Sequence, residues 1–91
     1  MKRIKQESSV GFAEANDIFS NVLPEAHGKG VTVDLTSSVK RQYGEHIENI
    51  IKTTVQEAGY TDVYIKAIDK GAWDYTIKAR VIVALNRGDA Q

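Results

Sequence analysis

The side chains that could do catalytic or metal-binding chemistry are few in this sequence and are not clustered. His27 and His46 are the two histidines, and the chain contains no cysteine. Neither histidine has a nucleophile or a third ligand at a suitable spacing, and neither forms a helical i, i+4 pair with another ligand. Glu14 and Asp17 could act as a carboxylate pair, but exposed acids on a turn are ordinarily solvated. We therefore predict no catalytic residue and no metal site.

The stretch GFAEAND, residues 11–17, has the polarity of an exposed corner between two strands. Asn16 and Asp17 suit a turn because both side chains tolerate a left-handed backbone and can bond to neighbouring amides. Ala15 stands at the apex of this corner, between Glu14 and Asn16. The corner offers no nucleophile, metal-ligand set or phosphate-binding loop, so the residue types alone name no reaction for it.

The elements that must position this corner are strands. Residues 4–14 alternate loosely between polar and apolar types, which predicts an edge strand, and residues 18–23 predict a return strand that ends at Pro24. The corner would then be the tip of a β-hairpin. Residues 31–36 alternate with a period of two and predict a third strand that is buried on one face.

One long helix is predicted next, because apolar residues recur three and four apart over residues 39–58. Ser37 or Ser38 suits its N-cap, where a side-chain hydroxyl accepts a hydrogen bond from an otherwise unpaired amide. Gly59 suits its C-terminal cap, because glycine readily adopts the left-handed conformation. This helix would cover one face of the sheet.

Two further strands are predicted after the helix, at residues 63–68 and 75–85, joined by a turn at residues 69–71. The β-branched run Val81-Ile82-Val83 favours a strand over the alternative of a short terminal helix. Residues 88–91 are expected to form a frayed tail. The predicted fold is thus a single α+β domain over residues 1–91, with a mostly antiparallel sheet and one long helix packed on one face.

Composition limits the function further. The 91 residues include 12 basic and 12 acidic side chains, so the net charge is zero, which argues against a nucleic-acid partner. The N-terminus lacks the apolar run of a secretory signal, and no apolar run is long enough for a membrane span, so a cytoplasmic protein without a membrane partner is expected. Trp73 and the tyrosines are expected in the core or at its boundary.

Three motifs occur together in a distinctive order and spacing. They are GFAEAND at residues 11–17, LTSSVKRQYG at residues 35–44, and DKGAWD at residues 69–74 running into Lys78-Ala79-Arg80. In this order and over nearly the whole chain, they resemble the acyl carrier protein, or gamma subunit, of bacterial citrate lyase.

The resemblance implies a non-catalytic carrier subunit. In that family a serine at the hairpin corner, in a Glu-Ser-x-Asp setting, is joined through a phosphodiester to phosphoribosyl-dephospho-coenzyme A, and an acyl group is carried on the terminal thiol. A prosthetic-group transferase attaches this arm. The alpha subunit exchanges acetate for citrate on the arm, and the beta subunit cleaves the citryl thioester to oxaloacetate. These subunits and the transferase are the implied partners.

The chain departs from the family at the attachment position. The family's serine falls on Ala15, flanked by Glu14, Asn16 and Asp17, and the methyl group of alanine cannot form a phosphodiester. Either an engineered Ser→Ala change, which we favour, or a natural variant would account for this residue. Two alternative functions remain open: the carrier of a related complex such as malonate decarboxylase, and a small regulatory or RNA-contacting domain without an arm.

Overall fold

The computed structural model describes residues 2–37 and 40–90. Within these ranges the chain is an α+β fold, which confirms the predicted class. Its elements, in chain order, are β1 (Ser8–Val10), β2 (Ile18–Pro24), β3 (Val31–Ser37), α1 (Lys40–Glu57), β4 (Val63–Asp69) and α2 (Asp74–Asp89). The first strand is much shorter than the predicted span of residues 4–14.

The described strands form one mixed sheet in the order β1-β2-β4-β3. β2 pairs antiparallel with both β1 and β4, whereas β3 pairs parallel with β4. The parallel pair follows from the connection between them, because α1 crosses over the sheet between β3 and β4, as parallel neighbours require. The sheet is therefore antiparallel in two of its three pairings, and β1 and β2 form the predicted hairpin.

The core lies between one face of the sheet and the two helices. The side chains of β2 and β4 that are fully shielded from water include Ile18, Val22, Val63 and Ile65. They pack into one cluster with apolar residues of α1 and α2. Burial of this apolar area is the main stabilising contribution in a domain of this size.

The last segment is a helix, so the predicted strand at residues 75–85 is wrong and the alternative terminal helix is closer to the structure. The side chains that α2 buries are spaced three or four apart: Ile77, Val81, Ala84, Leu85 and Gly88. Ile82 and Val83 are exposed, although the β-branched run had favoured a strand. Strand preference is weak and yields to packing, and here a helical face fits the core better.

The end of α2 packs against the segment that precedes β1. Of the predicted frayed tail at residues 88–91, residues 88 and 89 belong to α2, with Gly88 buried, and residue 91 lies outside the described residues. The carbonyl oxygen of Gly88 accepts hydrogen bonds from the amides of Lys5 (2.8 Å) and Gln6 (3.0 Å). A Cβ on Gly88 would lie 3.0 Å from the Gln6 carbonyl oxygen, so glycine permits this close approach.

The predicted C-terminal cap of α1 is confirmed. Gly59 has φ +84°, its amide bonds to the Gln56 carbonyl, and the next amide, of Tyr60, bonds back to Val55. This is the Schellman arrangement, which satisfies carbonyl groups that the helix end would leave unpaired. At the other end Ser37 is the last residue of β3 rather than a cap, and Ser38 lies outside the described residues.

Candidate functional site

Residues 11–17, called the tip from here on, connect β1 to β2 at one end of the sheet. The turn closes with a hydrogen bond of 3.0 Å from the Asp17 amide to the Glu14 carbonyl. Asn16 has φ 64°, which its short polar side chain tolerates. Ala15 is exposed at this turn, as are Glu14 and Asn16. The tip thus presents residue 15 to solvent, as the sequence predicts.

A second loop braces the tip from the side. The Asn16 amide donates to the Lys70 carbonyl at 2.8 Å, and the Lys70 amide donates to the Asp17 carbonyl at 3.0 Å. The tip is therefore paired with the loop between β4 and α2, which contains the predicted turn at residues 69–71. The sequence motifs place these stretches in one family pattern, but only the fold shows that they touch.

Asp17 ties the tip to α2. Its Oδ1 accepts a hydrogen bond from the Ile18 amide at 2.7 Å and one from Arg80 Nε at 3.2 Å, and its Oδ2 lies 3.0 Å from the second guanidinium nitrogen. Desolvation acts to raise the pKa of Asp17, but Arg80 and the backbone donors outweigh it and hold the pKa below its ordinary value. Two-point contacts of this kind fix both distance and orientation.

The bracing loop is organised by the buried carboxylate of Asp69. It accepts hydrogen bonds from Ser37 Oγ at 2.9 Å, from the Ala72 amide at 3.0 Å and from the Gly71 amide at 3.3 Å. Gly71 has φ +88°, so the turn predicted at residues 69–71 is present. A buried carboxylate needs such donors, and here they fix the loop against the end of β3.

The two histidines do not meet. His46 is exposed on α1 and lies 3.1 Å from the carboxylate of Asp74, whereas His27 lies 3.7 Å from Asp62 in a separate loop. Among residues 2–37 and 40–90, no three or more His, Asp or Glu side chains are grouped so as to hold a metal ion. Each histidine lies beside one aspartate, which is exposed for His46 and buried for His27, and neither pair includes a nucleophile.

A cleft of about 430 Å³ opens beside the tip, between Asn16, α1 and the start of α2. Its lining includes Tyr43, His46, Trp73 and Asp74. Trp73 is 66% exposed and Tyr43 is 54% exposed, so the expectation of core or boundary positions is wrong for both, as it is for Tyr75, whereas the buried Tyr60 fits it. No signal in the periodicity marked this cleft, because its walls come from three separate segments.

Comparison with known proteins decides the family. A family model described as malonate decarboxylase delta subunit (MdcD) matches residues 5–88. The citrate lyase acyl carrier protein of Halothermothrix orenii is 43% identical over 84 residues, covering 92% of this chain and 87% of that protein. The citrate lyase acyl carrier protein of Streptococcus mutans is also 43% identical, covering 92% of this chain and 81% of that protein. The chain belongs to the citrate lyase acyl carrier protein family.

The family resemblance inferred from the three motifs is thereby confirmed, and membership makes the chain a carrier rather than an enzyme. A chain in the crystal structure of a Pseudomonas malonate decarboxylase hetero-tetramer in complex with malonate has the same fold. It gives a TM-score of 0.79 at 15% identity, covering 94% of this chain and 87% of that one. Neither helix within the described residues has the length and apolar character that crossing a bilayer requires.

Proposed function

We propose that this chain is the carrier subunit of a citrate lyase complex, with residue 15 as the attachment position for the prosthetic arm. The observation that carries the proposal is the exposed, braced tip in a member of the acyl carrier family. Phosphoribosyl-dephospho-coenzyme A, when attached, would supply the thiol on which the acyl group is carried. The alpha and beta subunits of citrate lyase are the proposed partners, and the cytoplasm is the proposed location of the complex.

The geometry of the tip suits a carrier. An attachment atom must be reachable by a modifying enzyme, and Ala15 is exposed at the end of the sheet. The turn must also hold a fixed direction, which the bonds from Asn16 and Asp17 to the neighbouring loop and to Arg80 provide. A tethered acyl group then stays at high effective concentration near both active sites.

The residue at the apex does not fit the arm. Alanine has no side-chain oxygen, so no phosphodiester can form at position 15 of this sequence. The chain is thus proposed to be a carrier domain that cannot be loaded as written. The surrounding residues Glu14, Asn16 and Asp17 retain the family's setting, so restoring the hydroxyl alone is expected to restore loading.

Intact-mass measurement after incubation with the prosthetic-group transferase and its activated donor tests this proposal. The chain as it stands should keep its mass, whereas Ala15→Ser should gain one arm. Ala13→Ser is the matched control, because Ala13 is an exposed alanine of the same tip, two residues from the apex. Loading of the unchanged chain, or of Ala13→Ser in preference to Ala15→Ser, would refute the assignment of residue 15.

A carrier of malonate decarboxylase is the second candidate, favoured by the description of the matching family model. Co-purification of Ala15→Ser with citrate lyase alpha and beta subunits, and in parallel with malonate decarboxylase subunits, separates the two. Selective retention by the citrate lyase subunits supports the first candidate. Selective retention by the malonate decarboxylase subunits would transfer the assignment to the second.

A further inference from the structure

The cleft beside the tip has the size and walls of a small-molecule site. Its volume of about 430 Å³ falls in the range typical of ligand pockets, roughly 300–1,000 Å³. Asn16, the residue next to the apex, forms part of its lining. A ligand in the cleft would therefore contact the residue that follows position 15 in the chain.

The aromatic residues of the cleft leave apolar ring surface in contact with water, which is energetically unfavourable. Trp73 and Tyr43 line it and leave more than half of their surface in contact with water. Ile47, which is buried, adds an apolar contact deeper on α1. Exposed aromatic rings around a concave apolar surface suit a planar ring system, which can stack on them.

The charges in the cleft select against phosphate. Asp69 and Asp74 contribute two carboxylates, and His46 pairs with Asp74 at 3.1 Å. None of the described residues that line the cleft is a lysine or an arginine. A neutral base with an amino group can donate to the Asp74 carboxylate or bond to the side-chain amide of Asn16, whereas an anionic group would be repelled by the carboxylates.

We propose that the cleft binds the adenine base of a nucleotide, stacked on the rings of Trp73 and Tyr43, with the phosphates outside in solvent. The choice of adenine rests on the proposed function. The arm named above would be attached at residue 15 through its phosphoribosyl group, and its thiol lies at the opposite end. Its adenosine portion is therefore nearer to residue 15 than the thiol is. Holding the base in the cleft would direct the rest of the arm away from the tip.

Trp73 provides the measurement, because it is the single tryptophan of the chain. Adenosine and dephospho-coenzyme A should each quench its fluorescence saturably in the unmodified chain. Their affinities should be similar, because the phosphates make no contact in the cleft. Pantetheine, which has no base, should leave the emission unchanged. Quenching by pantetheine but not by adenosine would overturn the proposal.

Substitutions locate the site. Tyr43→Ala should weaken adenosine binding about fivefold or more, the scale on which one stacked base contributes. Tyr75→Ala is the matched control, because Tyr75 is a 72% exposed tyrosine of the same region that does not line the cleft. Equal affinities of the Tyr43→Ala variant and the unmodified chain would count against binding in the cleft.

The two proposals can fail separately. If Ala15→Ser gains the arm but Trp73 emission stays the same and adenosine does not bind, the cleft proposal is wrong and the carrier assignment stands. If adenosine binds with the expected variant pattern but Ala15→Ser is never loaded, the cleft proposal is supported and residue 15 is not the attachment position.

Discussion

Individual residues of the family motifs have structural reasons for their identity. Asp17 follows the apex by two positions and holds the turn to Arg80, which lies 63 positions later in the chain. Sequence alone predicted the turn at Asn16 and Asp17, because their local backbone preferences suffice for that. It could not predict the pairing with Arg80 or Lys70, because these contacts depend on how α2 and β4 come together.

Removing the Asp17 carboxylate tests how strongly this contact holds the tip. Asp17→Ala should lower the free energy of unfolding by about 1–2 kcal/mol, because hydrogen bonds to a charged group are lost at a partly exposed site. Urea unfolding monitored by circular dichroism measures the change. Glu14→Ala, an exposed acid of the same tip, should stay within about 0.5 kcal/mol of the unmodified chain. Equal losses in both variants would contradict a specific role for Asp17.

Gly11 is a second residue of the tip whose identity the structure requires. It has φ +90°, and a Cβ added there would overlap the carbonyl oxygen of Ile18. Gly11→Ala should therefore cost about 1–2 kcal/mol for the left-handed backbone and a further 1–3 kcal/mol, roughly, for the overlap. Gly28→Ala separates the two effects, because Gly28 has φ +85° with open space around it. Thermal unfolding of both variants should show the larger loss for Gly11→Ala, and the reverse order would refute the steric argument.

At the scale of elements, the sequence predicted α1 well and α2 badly. α1 has apolar residues at helical spacing over five turns and a glycine after its end, so local and tertiary preferences agree. In α2 the alternation of Ile77, Val81 and Leu85 with polar residues fits both a strand and a helix. Only the packing of α2 against α1, β1 and β2 decides between them.

The helical assignment of α2 makes a direct prediction about neighbouring valines. A strand would bury Val81 and Val83 on the same face, whereas the helix buries Val81 and leaves Val83 38% exposed. Val81→Ala should lower the free energy of unfolding by about 2 kcal/mol through loss of buried methyl groups. Val83→Ala should change it by no more than about 0.5 kcal/mol. Urea unfolding midpoints measure both, and similar losses would favour the strand.

At the scale of the whole molecule, three aspartates connect segments that are distant in the chain. Asp17 joins the tip to α2, and Asp89 joins the end of α2 to Tyr60, whose hydroxyl donates to it at 2.9 Å. Asp62 accepts from the amides of Gly28 (3.1 Å) and Gly30 (2.9 Å) and lies 3.5 Å from Arg3. The segment around Arg3, the loop after β2 and the end of α2 are thus held by carboxylates.

These three carboxylates predict how the stability of the molecule depends on pH. All three have pKa values below the ordinary value of 3.8 because hydrogen-bond donors stabilise their charged forms. The donors include the Gly30 amide for Asp62, the Tyr60 hydroxyl for Asp89 and the Arg80 guanidinium for Asp17. Because the unfolded chain then binds protons more readily than the folded one, this stabilisation is complete above that pH and is lost as the pH falls through the folded pKa values. Urea unfolding midpoints should therefore be nearly constant from about pH 7 to 5 and fall steeply below about pH 4.

The substitution Asp62→Asn isolates the contribution of one of these three carboxylates to the pH dependence of stability. Asparagine tolerates the backbone of this position, where φ is 57°, and it cannot take up a proton in this range. The variant should be less stable than the unmodified chain at pH 7, because the Arg3 and amide contacts lose their charge. Its stability should also fall less steeply between about pH 4 and 3, because one fewer carboxylate is protonated on unfolding. A slope equal to that of the unmodified chain would mean that Asp62 does not link folding to protonation, and that the acid sensitivity arises elsewhere.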